Sequence, residues 1–427
     1  MLEDKHSLPP RIILDHKKMS SEYVPLYLPH RESEVKETLR HLYSIVKGEK
    51  DVTKTVIYTG PTGTGKTAVA KRILLTLGEQ ASSGKLPPLM TSYVNAYDLR
   101  SKYAFFRKIG EDVGLRFPRK GFSTHEVITY IFQTLSRGDS NLVLVIDEAD
   151  LLVRQKEGEE ILYILIRLRE LLSDVNVGLG MLAIFRDFQL SIESVSNVGI
   201  KSSLSSAVIR FNPYTSRQLS DILRFRIEKE GAIRPGAVND EVIDMIANTF
   251  GYDHQRGGAG DARMALKALY YAAMRAESQG RSLVLPEDVR EVLNQGLLPT
   301  PYDEEEIKRL QLHEKLLLLA ITNVLLVEKE RAYVSIGDVE FEYEDLCNRF
   351  GVKPLRHTSI WERIQFLKHK GLVDARVSSV EGKGRSTHIA LPQTSENEFY
   401  GINRVPLNLL QKVLEEMIER DLKASSG

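Results

Sequence analysis

Cysteine is almost missing from this chain of 427 residues: Cys347 is the only one. A single thiol excludes an internal disulfide framework and any cysteine-based zinc cluster, and it fits a reducing cytosol. The ten histidines form no H-E-x-x-H or similar ligand spacing. Net charge is missing too, since 58 Lys and Arg balance 58 Asp and Glu. A nucleic-acid reading therefore cannot rest on global charge and needs a local basic patch. Long apolar runs are also lacking. The most apolar, Leu316 to Val327, has 12 residues and includes Thr322 and Asn323. It is too short to span a bilayer and is expected to be a buried helix. The N-terminus starts with charged residues and has no secretory apolar segment. A cytoplasmic protein with no membrane partner is expected. What is present is ordinary globular material: 42% hydrophobic residues, and a length that suggests about two to four domains of roughly 150 residues each.

The chain is organised around Gly60-Pro61-Thr62-Gly63-Thr64-Gly65-Lys66-Thr67, which fits the phosphate-loop pattern G-x-x-x-x-G-K-[ST]. Thr55 to Thr59 before it reads as a buried strand, and Ala68 to Leu75 after it reads as a helix. That strand–loop–helix context is what the motif requires. Gly60, Gly63 and Gly65 leave no Cβ in the way of a phosphate, and the loop N–H groups with the positive end of the helix form an anion site. Lys66 would reach the β- and γ-phosphates, and the Thr67 hydroxyl would ligate Mg²⁺. About 80 residues on, Leu142 to Ile146 runs apolar into Asp147 and Glu148. A strand apolar on both faces belongs inside a parallel sheet, whose carboxyl edge binds ligands. Asp147 would hold Mg²⁺ through water and Glu148 would orient the attacking water. The candidate nucleotide contacts on the loop are Gly60, Thr62, Gly63, Thr64, Gly65, Lys66, Thr67 and Ala68. The expected ligand is ATP or ADP with Mg²⁺ held by Thr67 and Asp147.

Residues 1–30 are irregular, and the leader ending in Pro29-His30-Arg31 is either a solvated arm or a segment packed near the nucleotide base. Val35, Leu39, Leu42 and Val46 then recur at helical spacing. Tyr93 to Asn95 reads as a second strand, Tyr103 to Gly110 and Ser123 to Leu135 as helices, the latter with a capping box from Ser123 and Glu126. Between those helices, Leu115 to Phe122 interleaves basic and aromatic residues, including Arg119 and Lys120. That is either a solvated connection or a nucleic-acid contact. Ile161 to Leu172 is expected as a helix and Gly178 to Phe185 as a strand. Phe211-Asn212-Pro213-Tyr214 closes the first domain, and helical spacing follows from Thr215, through Gly260-Asp261-Ala262-Arg263, to about residue 298. Pro299 to Pro301 marks a linker. Beyond it come three helices (Leu312 to Val327, one led by Phe341 to Cys347 and stopped at Gly351, and Thr358 to Lys370), then strands Leu372 to Val377 and Thr387 to Leu391. Their connection carries Glu381-Gly382-Lys383-Gly384-Arg385. Three helices and a hairpin with a Gly/basic tip describe a winged helix-turn-helix. Residues 351–391 hold 8 Lys and Arg against 3 Asp and Glu, a local excess of +5. This is the local patch that a DNA reading requires. The fold class read from the residues is thus an α/β P-loop domain, a small helical domain and a C-terminal winged helix. The domains are 1–214, 215–298 and 305–395, with a helical extension at 396–427.

In this order and spacing, the chain resembles the archaeal Orc/Cdc-type replication initiators of the AAA+ superfamily. The likeness covers nearly the whole chain. It is carried by Tyr23-Val24-Pro25 with Leu28-Pro29-His30-Arg31, the phosphate loop, Val143 to Asp150, Phe211 to Tyr214, Gly260 to Arg263 and the winged helix. The resemblance implies that the P-loop domain is of the AAA+ type with the helical domain as its lid, that His30 and Arg31 pack beside the adenine, that Tyr214 and Arg226 lie at the nucleotide, and that Arg263 reaches the γ-phosphate from the lid. It places the 117–122 loop in an insertion that touches duplex DNA, and Lys383 and Arg385 at a wing tip in the minor groove. The recognition helix follows from Thr358, with Arg356, His357, Ser359 and Arg363 as candidate contacts. It further implies paralogous initiators on double-stranded origin DNA and recruitment of the MCM helicase. Two positions depart from the family. Arg186 stands where a small polar residue usually senses phosphate, and Gly199 stands where an arginine finger is usual. Lys201 is a poor substitute without the planar fork. Slow hydrolysis serving as a switch is therefore expected. Two rivals share these modules: a P-loop transcriptional regulator with a winged helix, and a motor ATPase, which Gly199 disfavours because a trans arginine can be worth roughly 10³-fold in turnover.

Overall fold

The computed structural model describes residues 11–20, 22–96, 101–117, 121–153, 156–205, 207–253, 258–294, 304–327, 333–370, 372–380, 383–391 and 407–425. They form two compact units, Met1–Val284 and Leu285–Gly427.

The first unit is built on five parallel strands, β1 (Thr53–Thr59), β2 (Leu89–Asn95), β3 (Asn141–Asp147), β4 (Leu179–Phe185) and β5 (Val208–Arg210), in the order β2-β3-β4-β1-β5. All seven residues of β3 and of β4 are buried, as strands covered on both faces require. Alternate side chains serve two cores. Leu142, Leu144, Ile146, Met181 and Ala183 join Phe105, Phe106, Ile131 and Phe132 on one face. Val143, Val145, Leu182, Ile184, Val56 and Tyr58 join Val69, Ile73 and Leu77 on the other. The capping box of Ser123 and Glu126 starts the helix Thr124–Arg137. The expected helix over 161–172 is broken at Arg167 into Lys156–Ile166 and Leu168–Leu171, because Arg167 leaves helical geometry at φ −102° and ψ 21°.

The rest of this unit is helical: Ser216–Arg224, a π-turn at Phe225–Lys229, Asp240–Phe250 and Ala262–Ser278. Among the described residues of the leading arm, Ile12 and Ile13 are tied to it. Ile12 and Ile13 are fully buried, their N–H groups donate to Glu277 at 2.5 and 2.8 Å, and Ile13 bridges to Ile233.

The second unit packs helices Leu312–Val327, Ile336–Phe350, His357–His369 and Leu407–Ser425 with a three-stranded antiparallel sheet. Its strands are β6 (Val334–Ser335), β7 (Asp374–Val380) and β8 (Lys383–Ala390), in the order β6-β8-β7. Two residues of pairing were too short to read as a strand from periodicity, so β6 was not expected. The strands of the hairpin also run further than expected, with Lys383 and Arg385 on β8, paired with Val380 and Ser379 across an irregularity in register. The Leu407–Ser425 helix lies in the same core, through Leu410, Leu414, Met417 and Ile418. Lys315, 2% exposed, is neutralised there by Asp421 at 2.6 Å. No described helix is long and apolar enough to cross a membrane.

Candidate functional site

The site lies at the carboxyl edge of the parallel sheet. Strand β1 runs into the phosphate loop, and the helix Lys66–Ser82 starts from Gly65 with no side-chain cap, so its leading N–H groups are kept for an anion. Gly65 has φ +90°, and a Cβ there would lie 2.8 Å from the Tyr214 hydroxyl. At Gly63, φ +77°, a Cβ would collide with the Asp261 carboxylate at 1.9 Å. Glycine is required at both by conformation and by space.

Lys66 folds back onto the loop, its Nζ donating to the Gly60 and Pro61 carbonyls at 2.6 and 2.7 Å. Burial pushes it down to about 8. Asp147 and Asp150 oppose that shift, and Arg263 and Arg186 add to it. Three cations from one chain therefore act on the same space. Asp147, 6% exposed at the end of β3, accepts Thr67 Oγ1 at 2.9 Å and Tyr93 OH at 2.6 Å on Oδ2, and the Glu148 N–H at 2.9 Å on Oδ1. Glu148 is held left-handed at φ 55°, an uncommon conformation for a glutamate and one that recurs at functional sites. Asp150 pins the end of β4: it accepts Arg186 N–H at 2.8 Å and Ser191 Oγ at 2.7 Å. The backbone of Arg186 is therefore fixed and its side chain is exposed.

Arg263 pairs with Asp261 at 3.2 Å. The Ala262 N–H donates to the Gly63 carbonyl at 3.1 Å, so the lid helix starts on the phosphate loop itself. Thr62 and Ala68 are half-buried on the loop and first turn. Thr64 turns inward, fully buried, with Oγ1 on the Pro61 carbonyl at 2.9 Å, and so offers a phosphate only its backbone.

Three residues expected beside the nucleotide are bonded to protein groups. Arg31, 4% exposed, uses four of its five N–H groups on Thr64 O (2.9 Å), His30 O (2.9 Å), Glu34 Oε1 (3.0 Å) and Asn212 O (2.8 Å). It also stacks 4.0 Å from the Tyr214 ring, so it braces the loop from behind. His30 pairs with Asp221 of the lid at 2.8 Å. Arg226 is brought to the arm: it donates to the Lys18 carbonyl and lies 5.0 Å over the Tyr23 ring, whose hydroxyl is held by Glu230. Tyr214 does line the loop, buried, with its hydroxyl pushed up to about 12 by desolvation.

A metal cage of three or more His, Cys, Asp or Glu is absent among the described residues. The hard oxygens of Thr67 and Asp147, 2.9 Å apart, fit Mg²⁺, which takes few protein ligands and completes its shell with water and ligand phosphates.

Gly199 sits in the helix Val198–Leu204. An arginine approaches the same point from elsewhere, because Arg167 Nη2 lies 3.6 Å from where a Cβ on Gly199 would be. Sequence spacing could not show this, since 32 residues separate the two.

Of the expected DNA contacts, Arg119 and Lys120 fall outside the described residues. Phe117 is not free to stack on a base: its ring covers Gly110 and packs edge-on against Tyr130 at 6.1 Å. In the second unit Arg356 and His357 begin the recognition helix, both exposed, with His357 paired to Glu340. Ser359 is half-buried, and its carbonyl accepts Arg363 Nη1 at 3.3 Å. Arg363 is turned inward, contrary to expectation. Its Nε is buried, and its charge, added to burial, holds His313 below the usual histidine range. Lys383 and Arg385 are placed by backbone register on β8.

Three family models match: an AAA domain over residues 50–187, a Cdc6 AAA+ ATPase-type lid domain over 220–294, and a CDC6 C-terminal winged helix domain over 305–400. ORC1-type DNA replication protein 2 of Sulfurisphaera tokodaii is 32% identical over 398 residues, covering 93% of this chain and 94% of its own. The chain belongs to the ORC1-type DNA replication proteins. The ORC1-type protein of Pyrococcus horikoshii is likewise 32% identical, over 90% of this chain and 88% of its own. Among solved structures, that of the Aeropyrum pernix ORC1 protein in complex with DNA is similar, with TM-score 0.71, 29% identity, and 96% and 97% of the two chains covered. The fold is thus an AAA+ domain with a Cdc6-type lid and a C-terminal winged helix, as this family has it.

Proposed function

We propose that this ORC1-type protein binds duplex DNA at replication origins under control of bound ATP or ADP and takes part in initiating replication, helping to recruit the MCM helicase beside other initiator paralogues. The observation that carries this reading is one chain holding Lys66, Thr67 and Asp147 at the head of a parallel sheet and a winged helix in its second unit. Relatives named as DNA replication proteins match along nine-tenths of it, and the ORC1 structure from Aeropyrum pernix is described as a complex with DNA.

Lys66, Arg263 and the loop N–H groups would bind the phosphates, and Tyr214 and Arg31 would keep the loop in shape for them. Mg²⁺, held by Thr67 and Asp147, would supply charge neutralisation across the phosphates. Glu148 would orient a water for slow hydrolysis, with Gly199 offering no finger to a neighbour and Arg186 adding a cation in cis. The bound nucleotide would then act as a state label. Exposed Arg356 and His357 would meet DNA at the start of the recognition helix, and Lys383 and Arg385 from the wing.

DNase footprinting over the host's origins, with ATP and with ADP, tests the reading. Protection of origin sequence that differs between the two nucleotides is expected; protection confined to promoters would replace it with a transcriptional role. At the wing, Arg385→Ala should weaken binding at all sequences and lower the slope of log affinity against log salt by about one. An unchanged slope would remove Arg385 from the phosphate contacts.

A further inference from the structure

Asp147 is the carboxylate on which the metal assignment rests, and three bonds hold it. Two come from its immediate surroundings, Thr67 of the phosphate loop and the Glu148 N–H. The third comes from the neighbouring strand: Tyr93 OH donates to Oδ2 at 2.6 Å. Tyr93 is itself well fixed. It stands on β2 opposite Val145 of β3, two residues before Asn95, which pairs with Asp147. Its N–H and the Ser92 hydroxyl both donate to Asp112 Oδ2, at 3.3 and 2.8 Å, fastening that part of β2 to the helix Lys102–Asp112. Lys71, from the helix that follows the phosphate loop, lies with Nζ 4.7 Å from the centre of the Tyr93 ring. A cation over a phenol ring draws electron density from it and makes its O–H a stronger donor.

We propose that Tyr93 is a positioning residue for magnesium, setting the orientation of the Asp147 carboxylate through its hydroxyl so that Mg²⁺ arriving with a nucleotide meets it in place. The inference rests on the reading of the phosphate loop as a nucleotide site. Thr67 cannot do this alone. Its single hydroxyl proton goes to Asp147, while its oxygen is also the group that would hold the metal, so any shift of the loop would move both. Tyr93 instead ties the carboxylate to β2, an element separate from the phosphate loop. Partners of this kind, one bond removed from a metal, typically change metal affinity by about 10–100-fold when lost.

The test is a Mg²⁺ titration of nucleotide binding to the full chain, read with a fluorescent ADP analogue, in wild type and Tyr93→Phe. Phenylalanine keeps the ring beneath Lys71 and removes only the donor. The expected result is a Mg²⁺ midpoint about tenfold higher in Y93F, with nucleotide affinity in EDTA unchanged. In an Asp147→Asn background the same substitution should shift the midpoint no further, because Tyr93 acts only through that carboxylate. An unchanged Mg²⁺ midpoint in Y93F, or an equal loss of affinity with and without Mg²⁺, overturns the proposal and leaves the nucleotide site standing. Wild type that binds no nucleotide in either condition sinks the site reading itself.

Discussion

Lys66→Ala should lose nucleotide affinity by about 100-fold or more while the nucleotide-free protein melts no lower than wild type. The loss follows from removing a charged donor to phosphate, worth up to about 3 kcal/mol per bond. The second half is less expected and comes from the state of Lys66 without a ligand. Its ammonium sits on two carbonyls, and burial above all, with Arg263 and Arg186 nearby, brings it from its ordinary 10.5 to about 8. Below pH 8 the lysine is charged in both folded and unfolded chains, and the folded chain bears the full cost. Between about pH 8 and 10.5 the unfolded chain binds more protons, so wild-type stability gains from this group as pH rises. The alanine variant lacks that gain. A phosphate restores the charge of Lys66, so nucleotide binding above about pH 8 takes up a proton and affinity falls as pH rises further. Calorimetry in two buffers of different ionisation enthalpy would show the uptake. A variant that keeps wild-type affinity would end the nucleotide assignment.

What was legible in the sequence was what local spacing can carry. Eight residues between a β-branched strand and a helix announce a phosphate loop. Five apolar residues ending in Asp147 and Glu148 announce a central parallel strand, and both stand where expected. The winged helix was legible because each helix carries its own period and stop. What was not legible depended on register and distance. Tyr93 meets Asp147 only because β2 and β3 pair in one particular register. Asp150 lies inside a quoted motif, yet its work is to hold Arg186, 36 residues away. The resemblance made Arg363 a candidate DNA contact, but the helix rotation that buries Ile360, Ile364 and Leu367 also brings its charge near His313. A single amphipathic pattern does not say where its boundary falls to within one residue. The last helix was expected only as an extension, and its partner, Leu312–Val327, is shown by the Lys315–Asp421 pair, by Gln411 on Asn323 and by the shared core.

Arg31→Ala should destabilise the nucleotide-free first unit by about 3–5 kcal/mol, the range for removing one member of a buried ion pair. The resemblance placed Arg31 beside the adenine, and a nucleotide ligand would leave the empty protein unaffected when removed. The structure implies the reverse. Without Arg31, the Glu34 carboxylate, 9% exposed, keeps only the Ser33 hydroxyl at 2.6 Å as a side-chain donor. The Thr64 and Asn212 carbonyls lose their donors, and Tyr214 loses the guanidinium on its face. For a unit of this size the thermal midpoint should fall by roughly 10 °C. Lysine should not rescue it, because one ammonium cannot serve four acceptors and stack on a ring at once. Removing Glu34 as well should recover part of the loss, since the uncompensated charge goes with it. The deciding measurement is the melting point without nucleotide. A fall there, partly restored in the Arg31→Ala/Glu34→Ala double variant, makes Arg31 the brace of the phosphate loop, and any drop in ATP affinity follows from a loop that no longer holds its shape. An unchanged melting point with a lost affinity would return Arg31 to the nucleotide.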